Sequence, residues 1–584
     1  HQSALPLPHG LVDDYLRTRD IERKVRVIVV NAEETLLTRE KNNTIATADA
    51  TLNEKKSETT ILSSESIAAS SRERILSHAE KKGLMIHPEA LELLTTTHHF
   101  GAILDALATE NTFMVTHLHV ERKIKTHTPL QLYPTAAPST STTLESAPSA
   151  PRPLAAEYSP NYRILHHLNY NGASESKGKA EDFLKLFQDK YTFLHGELKN
   201  RGYQPRSLAK IDRQGRDSEF DVIVMVSEKT NTKNGHVLLS IDDLEGQAKA
   251  LIPASDEELI AKAKRLTVDD VIGMKCKLAR TGELMIVKDF SWPDLPQRTP
   301  KKSDVDLGIT ITSDIHLGSK LFIRPWWEKF VSWLNREVGS DGEKARVGKL
   351  KYLVIAGDLV DGIGVYPNQI NELEVKDIYE QYRQFENYIG QLPDYLEIFI
   401  TPGNHDPCRW HDPQPPVLKE MLPTLYKQKN VHFLPSPAWL EIEGQKTLIY
   451  HGSGLIGGMF AMNIPPTKPE EVIKELLIKR DLMSVYGTKH PYAPEPKAYM
   501  LVREHPDLYI GGDNHYNAYA QYRGTTIINN GCWQTTSAYA ASKGFINTPG
   551  RVPQFNLNTA TIRESRFDKS EPSPHAPIME GGGK

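Results

Sequence analysis

Ser313-Asp314-Ile315-His316-Leu317-Gly318-Ser319, Gly357-Asp358-Leu359-Val360-Asp361-Gly362 and Gly403-Asn404-His405-Asp406 mark out a repeating pattern in the chain. Each follows an apolar run, at 307–312, 352–356 and 396–401. The pattern returns twice more, where 447–450 leads into His451-Gly452 and 508–510 into Gly512-Asp513-Asn514-His515. Short apolar runs bounded by turn-forming residues read as buried strands. Between them, Trp327, Phe330, Leu334 and Val338 share one helical face, as do Ile378, Tyr382, Phe385 and Ile389. Strand, loop and helix in alternation predict an α/β domain over 301–565. Every one of these strands runs out within a few residues of a metal-binding side chain. In an open α/β sheet, the crevice beyond the carboxyl ends of the strands is where residues distant in sequence converge.

The side chains gathered this way are Asp314, His316, Asp358, Asn404, His405, His451, Asp513 and His515. Oxygen and imidazole donors without thiolate favour Mn²⁺, Mg²⁺, Fe or Zn²⁺. Two ions can share such a set, with Asp358 as the natural bridge, at a separation of about 3.5–4 Å suited to phosphoryl chemistry. Asp314 and His316 stand two positions apart, which in an extended segment puts both on one side; Asp513 and His515 repeat the spacing. Glycines beside the ligands (Gly318, Gly357, Gly403, Gly452, Gly512) allow sharp turns and close approach to a phosphate. Asp-x-His or Gly-Asp alone says little; the ordered set, each member at a strand end, is far more specific.

Working outward, 584 residues are too many for one hydrophobic core. Residues 1–125 read as a small, mostly helical module, with Ile75, Leu84, Ile86, Leu91, Leu94, Ile103 and Leu104 among its apolar positions. A Pro-, Ser- and Thr-rich linker follows over 126–158. After one amphipathic helix near 180–198, five short strands within 221–290, with turns at Asn234-Gly235 and Thr281-Gly282, suggest an OB-type β-barrel domain over 159–300. The tail, 566–584, has no core-forming pattern and is expected to be disordered. The predicted architecture is thus multidomain. No apolar run approaches the roughly 20 residues needed to cross a bilayer. With His1 first, no export signal is read near the start, and Cys276, Cys408 and Cys532 lie far apart without disulfide or zinc spacing, so a reducing cytoplasmic setting is expected. A net charge of −4 argues against nucleic-acid binding by bulk charge alone. Local contacts to DNA phosphates are instead assigned to Arg324, Arg409, Arg480 and Lys489. Trp326, Trp327 and Trp333 could stack on bases, although their helical setting favours a core. His98, His99, His117 and His119 lack a completing carboxylate or cysteine for a second metal site.

The three opening strings resemble calcineurin-like metallophosphoesterases. Further segments are more specific: Pro407-Cys408-Arg409 through Pro413-Gln414-Pro415, Lys479-Arg480-Asp481-Leu482, Asn529-Asn530-Gly531-Cys532-Trp533-Gln534 and Asn547-Thr548-Pro549-Gly550 resemble the small subunit of archaeal family D DNA polymerase. The resemblance covers about 180–560 and includes the order of barrel and phosphoesterase domain. It implies a 3′-to-5′ proofreading exonuclease that works with a large catalytic polymerase subunit on a DNA primer-template in an archaeal cytoplasm, close to the nucleoid. A sliding clamp and other replisome proteins are candidate further partners. It also implies two divalent metal ions, Mn²⁺ or Mg²⁺ foremost. One would be held by Asp314, His316, Asp358 and His515, the other by Asp358, Asn404, His451 and Asp513. His405 would stabilise the transition state or protonate the leaving 3′ oxygen rather than bind metal. One departure is Asp513, where the family usually has histidine. The competing readings are a largely structural subunit with an altered metal site, which Asp513 favours, and a stand-alone metallophosphatase, against which the barrel counts.

Overall fold

The strand runs around the motifs do not form one sheet. In the computed structural model, residues 152–211, 219–279, 284–483, 485–486, 490–537, 540–541 and 544–568 are described, with scattered positions between 75 and 115. The linker up to residue 151, the turn at Thr281-Gly282, Lys489, His98, His99, His117 and His119 and the tail from 569 lie outside the described residues.

Residues 32–149 make up one compact unit. Within it Ile75, Ala79, Ala90, Leu94, Ile103 and Leu104 form a small core. Two short strands, β1 (Met85–Ile86) and β2 (Met114–Val115), pair in parallel, an element that the helical reading of this module did not contain. His78 and Lys82 both reach the carboxylate of Asp105, at 3.0 Å each.

The described residues from 152 to 568 belong to the second unit. Strand β3 (Tyr162–Ile164) comes first, followed by the helix Ala180–Asn200. That helix begins where Asp182 accepts the backbone N–H groups of Lys177 and Lys179, and Gly202, at a φ of 97°, turns the chain away after it. Next comes a closed barrel of β4 (Phe220–Asn231), β5 (Val237–Asp242), β6 (Gln247–Ile252), β7 (Val271–Leu278) and β8 (Leu284–Ser291), in the order β4-β5-β6-β8-β7. Val237, Leu239 and Ile241 alternate inward along β5, as period-2 patterning requires. The helix Glu257–Ala263, capped by Asp256, connects β6 to β7.

The remaining strands build two stacked sheets. One has β9 (Gly308–Thr312), β10 (Leu350–Ala356), β11 (Glu397–Thr401), β12 (Val431–Phe433), β18 (Arg551–Asn556) and β19 (Thr561–Arg566), ordered β12-β11-β10-β9-β18-β19. The other has β13 (Ala438–Ile442), β14 (Gln445–Ile449), β15 (Leu508–Gly511), β16 (Ala518–Tyr522) and β17 (Thr525–Asn529), ordered β16-β17-β15-β14-β13 and closed at its edge by β3. Tyr162–Ile164, read from sequence as part of the barrel domain, therefore lies in a phosphoesterase-side sheet, antiparallel to β13. Between the sheets, Ile309, Ile311, Val354 and Phe399 pack with Leu440, Ile449, Ile510 and Ile528. The opposite face of the first sheet, Leu353, Ile355, Ile398 and Ile400, is covered by Trp327, Phe330, Tyr382 and Phe385. On the far side of the second, Val472, Leu476 and Leu477 cover Leu448, Tyr509 and Ile527. Layering of helix, sheet, sheet and helix explains why β10 is buried along its whole length: both faces are covered.

Lys479-Arg480-Asp481 joins the parts. Lys479 Nζ lies 3.0 Å from Asp270 Oδ2 and donates to Thr267 Oγ1 at 2.7 Å, both at the barrel. Asp481 Oδ2 meets Lys190 Nζ at 2.6 Å, both deeply buried, and Arg480 pairs with Glu197 of the same helix. Removing one partner of such a pair strands the other charge in a low-dielectric interior, at a cost of about 3–5 kcal/mol. Lys190→Met is therefore expected to lower chemical-denaturation stability by that amount, and the paired change Lys190→Met with Asp481→Leu to recover much of it. Equal midpoints for the wild type and the single variant would contradict this account.

Candidate metal centre

The five strand ends that carry the motifs divide between the two sheets: β9, β10 and β11 in one, β14 and β15 in the other. Their carboxyl ends meet at the edge of the sandwich, so the crevice predicted for a single open sheet is formed across two. All the predicted metal-ligating side chains come together there, and Asp314, His316, Asp358 and His451 are almost completely buried.

The backbone reaches this point by sharp turns. Asp314, His316, Asp358, Asp513 and His515 have φ of 51°, 53°, 52°, 67° and 60°, all left-handed. The two Asp-x-His pairs are thus not extended, contrary to the spacing argument, and converge because each strand curls as it ends. Such conformations cost on the order of 1–3 kcal/mol each and persist where surrounding contacts impose them. Those contacts are visible. The N–H groups of Asp314 and Ile315 donate to the carbonyls of Gly357 and Asp358, while the N–H of Trp533 donates to the carbonyl of Asp314 at 3.0 Å.

Three imidazoles are oriented through Nδ1. His451 Nδ1 donates to the Ala356 carbonyl at 2.7 Å, an atom that can only accept, so in the neutral imidazole it is Nε2 that carries the lone pair. That Nε2 lies 3.1 Å from Asn404 Oδ1, 3.4 Å from Asp358 Oδ1 and 3.8 Å from Asp513 Oδ1. His316 Nδ1 lies 3.0 Å from Asp361 Oδ1, and its Nε2 faces His515 Nε2 at 3.1 Å and Asp358 Oδ2 at 3.6 Å. His515 Nε2 in turn is 3.2 Å from Asp314 Oδ1. His405 donates through Nδ1 to the Asp361 carbonyl at 2.7 Å, and its backbone N–H donates to Asp358 Oδ1 at 2.8 Å. A carboxylate or carbonyl behind a ligating histidine is the usual way its tautomer and orientation are set.

The donor groups converge closely enough to hold a divalent cation. Asp314, His316 and His515 converge as one cluster and Asp314, Asp358 and His451 as another, with Asp358 also grouped with His316 and His405. Asp513 Oδ2 is buried without a hydrogen-bond partner among the described residues, although its backbone N–H donates to both oxygens of Asp314. Burial pushes the Asp513 carboxyl up to about 7. Burial works against charge on Asp358 too, yet His451, His405 and His316 around it hold its carboxyl well below the usual range. For His451, burial opposes protonation, but Asp358, Asp314 and Asp513 together keep the imidazole well above the ordinary histidine range.

Residues not singled out as site members from the sequence do supporting work. Asp361 holds His316 by its side chain and His405 by its carbonyl, and is itself held by Gln369. Asp406, raised to about 6 mainly by burial, accepts from the N–H of Gly403 at 2.8 Å, the N–H of Leu359 at 3.3 Å and the hydroxyl of Tyr382 at 2.6 Å. Their signal was present in Gly-Asp-Leu-Val-Asp and Gly-Asn-His-Asp, where a second acid follows the first motif residues. Of the candidate phosphate contacts, Arg480 is buried between Glu197 and the carbonyls of Val502 and Arg503. Arg409 binds Glu495, the Tyr170 hydroxyl and the Pro413 carbonyl. Both guanidiniums, assigned from sequence to DNA phosphates, are paired with carboxylates of the chain itself, Arg480 buried and Arg409 partly so. Arg324 is partly exposed and donates to the Tyr388 hydroxyl at 3.0 Å. Trp327 and Trp333 belong to the core.

Residues 307–517 match the calcineurin-like phosphoesterase family. Over 420 residues the chain is 34% identical to the DNA polymerase II small subunit of Methanocaldococcus jannaschii, covering 71% of this chain and 70% of that one. The corresponding subunit of Methanothermobacter thermautotrophicus is 31% identical over 392 residues, covering 67% and 80%. That of Halobacterium salinarum is 28% identical over 513 residues, covering 85% and 98%.

Two outcomes are expected. A Cβ on Gly403 would fall 2.5 Å from the Asp358 nitrogen and 2.6 Å from His451 Nε2, so Gly403→Ala should weaken Mn²⁺ binding by about 10- to 100-fold in calorimetric titration while far-ultraviolet circular dichroism is retained. Since bound metal must displace the protons held by His451 and Asp513, Mn²⁺ affinity should fall by about tenfold or more between roughly pH 8 and pH 6. A flat profile would show that those groups are already deprotonated.

Proposed function

The chain belongs to the small-subunit family of archaeal DNA polymerase II and carries a calcineurin-like phosphoesterase domain, and from that premise we propose that it is a 3′-to-5′ exonuclease that trims the primer strand for its polymerase. The observation that carries the reading is one carboxylate, Asp358, lying between two donor sets, with His405 fastened beside it through its backbone N–H. Asp314, His316, Asp358 and His515 would hold one divalent cation; Asp358, Asn404, His451 and Asp513 would hold the other. Mn²⁺ or Mg²⁺ suits this oxygen-rich set, with Fe or Zn²⁺ as alternatives. When bound, the cations neutralise the phosphate and make water a competent nucleophile.

The protein's own part is orientation and proton transfer. Water adds to the phosphorus between the last two nucleotides, the bond from phosphorus to the 3′ oxygen of the penultimate nucleotide breaks, and that oxygen takes a proton from His405. A nucleoside 5′-monophosphate leaves, and the strand ends in a new 3′ hydroxyl. The Asp361 carbonyl, by accepting from Nδ1 of His405, directs Nε2 toward the leaving oxygen.

The partner of this activity is the large catalytic polymerase subunit, and the substrate is a DNA primer-template. The closed barrel supports an OB-type assignment: its order β4-β5-β6-β8-β7, the parallel β6–β8 pair that closes it and the helix between β6 and β7 are the expected arrangement. Its contacts through Lys479 and Asp270 give it a scaffold role beside the catalytic domain.

The test is shortening of a labelled, mismatched primer by the complex in Mn²⁺ or Mg²⁺. Asp358→Asn should abolish it. His405→Ala should slow it by on the order of 10²–10⁴-fold with metal content unchanged, the signature of a proton donor rather than a ligand. Undiminished shortening by Asp358→Asn would rule the reading out.

A further inference from the structure

Immediately after Asp361 the chain leaves the metal centre in a loop, 362–371, whose base is buried and whose tip is apolar. Gln369 donates to the carbonyl and to Oδ2 of Asp361, at 2.7 and 2.9 Å, and accepts from the N–H of Val365. Gln381, fully buried on the neighbouring helix, accepts from the N–H of Gly362 and donates to the carbonyls of Gly362 and Val375. The loop and the imidazole of His405 consequently share one anchor, Asp361. Gly362, at a φ of 76°, makes the turn, and a Cβ there would meet the His405 carbonyl.

On this base stands Tyr366, 37% exposed, with its ring centroid 6.2 Å from that of His405 and the planes at 59°. Its hydroxyl donates to Glu372 at 2.9 Å, which fixes the ring without using the face. Ile363 and Ile370 of the same loop are also exposed. A partly exposed aromatic ring, oriented through its hydroxyl beside a phosphodiester site, is the arrangement with which single-strand binders hold bases.

We propose that Tyr366 is the positioning residue for the base of the nucleotide whose 3′ oxygen His405 protonates, so that the substrate is a 3′ end with its last two nucleotides out of the duplex. The inference rests on the exonuclease reading above. A base still paired in a duplex cannot present its face to the ring, whereas a mismatched or frayed end can. Selection of unpaired ends then follows from stacking at Tyr366, in addition to the chemistry at the metals.

The experiment uses the full chain with its large subunit and compares wild type, Tyr366→Phe and Tyr366→Ala. Substrates are single strands with either a normal or an abasic penultimate nucleotide. On the normal strand, Tyr366→Ala should lose about 10- to 100-fold in kcat/KM and Tyr366→Phe little. The abasic strand should cost the wild type a similar factor and Tyr366→Ala nothing more, whereas Mn²⁺ binding in calorimetric titration should be the same for all three proteins. Equal sensitivity of wild type and Tyr366→Ala to the missing base would overturn the assignment of Tyr366 alone. Absence of any shortening by the wild type would overturn the exonuclease reading and this inference together.

Discussion

Three carboxylates, Asp314, Asp358 and Asp513, lie in one buried crevice, and the rest of the catalytic unit is arranged around keeping them there. An isolated buried carboxylate is too costly to keep charged, and three together repel one another besides. Burial opposes protonation, yet the His451 imidazole, raised by Asp358, Asp314 and Asp513, offsets part of this charge, and divalent metal ions at the same donors would offset more. That requirement accounts for the shell outside the ligands. Each histidine must offer Nε2 inward, so a main-chain carbonyl or Asp361 occupies Nδ1 of His451, His405 and His316. Each loop must approach within contact of its neighbour, so glycine stands at 403 and 512, where a Cβ would strike Asp358 or Asp314.

The stacking of two sheets supplies the mechanical support. Strands β9, β10 and β11 deliver Asp314, Asp358 and Asn404 from one side, and β14 and β15 deliver His451 and Asp513 from the other. The relative position of the sheets therefore sets the spacing of the donor side chains, and the core between them, from Ile309 and Val354 to Leu440 and Ile510, holds that position. The junction at Lys479-Arg480-Asp481 does a similar job at larger scale, tying helix Ala180–Asn200 and the barrel to the catalytic layers by buried charge pairs. Buried pairs add little net stability but penalise any docking that leaves them unmatched.

Much of the site could be read in the sequence because the ligands follow strands, and strand ends are local, short-range signals. Asp314, Asp358 and His451 converge in one cluster, and Asn404 Oδ1 lies 3.1 Å from His451 Nε2. What could not be read is what depends on tertiary pairing. Nothing in the run 447–450 says that its strand joins a different sheet from 352–356, since both are simply apolar. Tyr162–Ile164 is too short to reveal that it completes a sheet edge far along the chain. Arg409 and Arg480 look like free surface charges until Glu495 and Glu197, remote in sequence, are seen to meet them. The Asp-x-His spacing was misread for a related reason: period-2 alternation holds within a strand, and both pairs begin just beyond one.

The left-handed backbone at Asp314, His316, Asp358, Asp513 and His515 has a chemical corollary. Outside glycine, that conformation is most readily adopted by Asn, Asp and His, whose short polar side chains suit it, and is strongly disfavoured for β-branched residues. Backbone shape thus acts as a filter on ligand identity. It admits carboxylate and imidazole and screens out much else, so the hardness of the donor set is dictated by the curl of the strand ends as well as by the demands of phosphoryl transfer. Seen in this light, Asp513 in place of histidine is an exchange between two of the few side chains the chain path allows, and drift of the metal centre in this fold is channelled along that narrow choice.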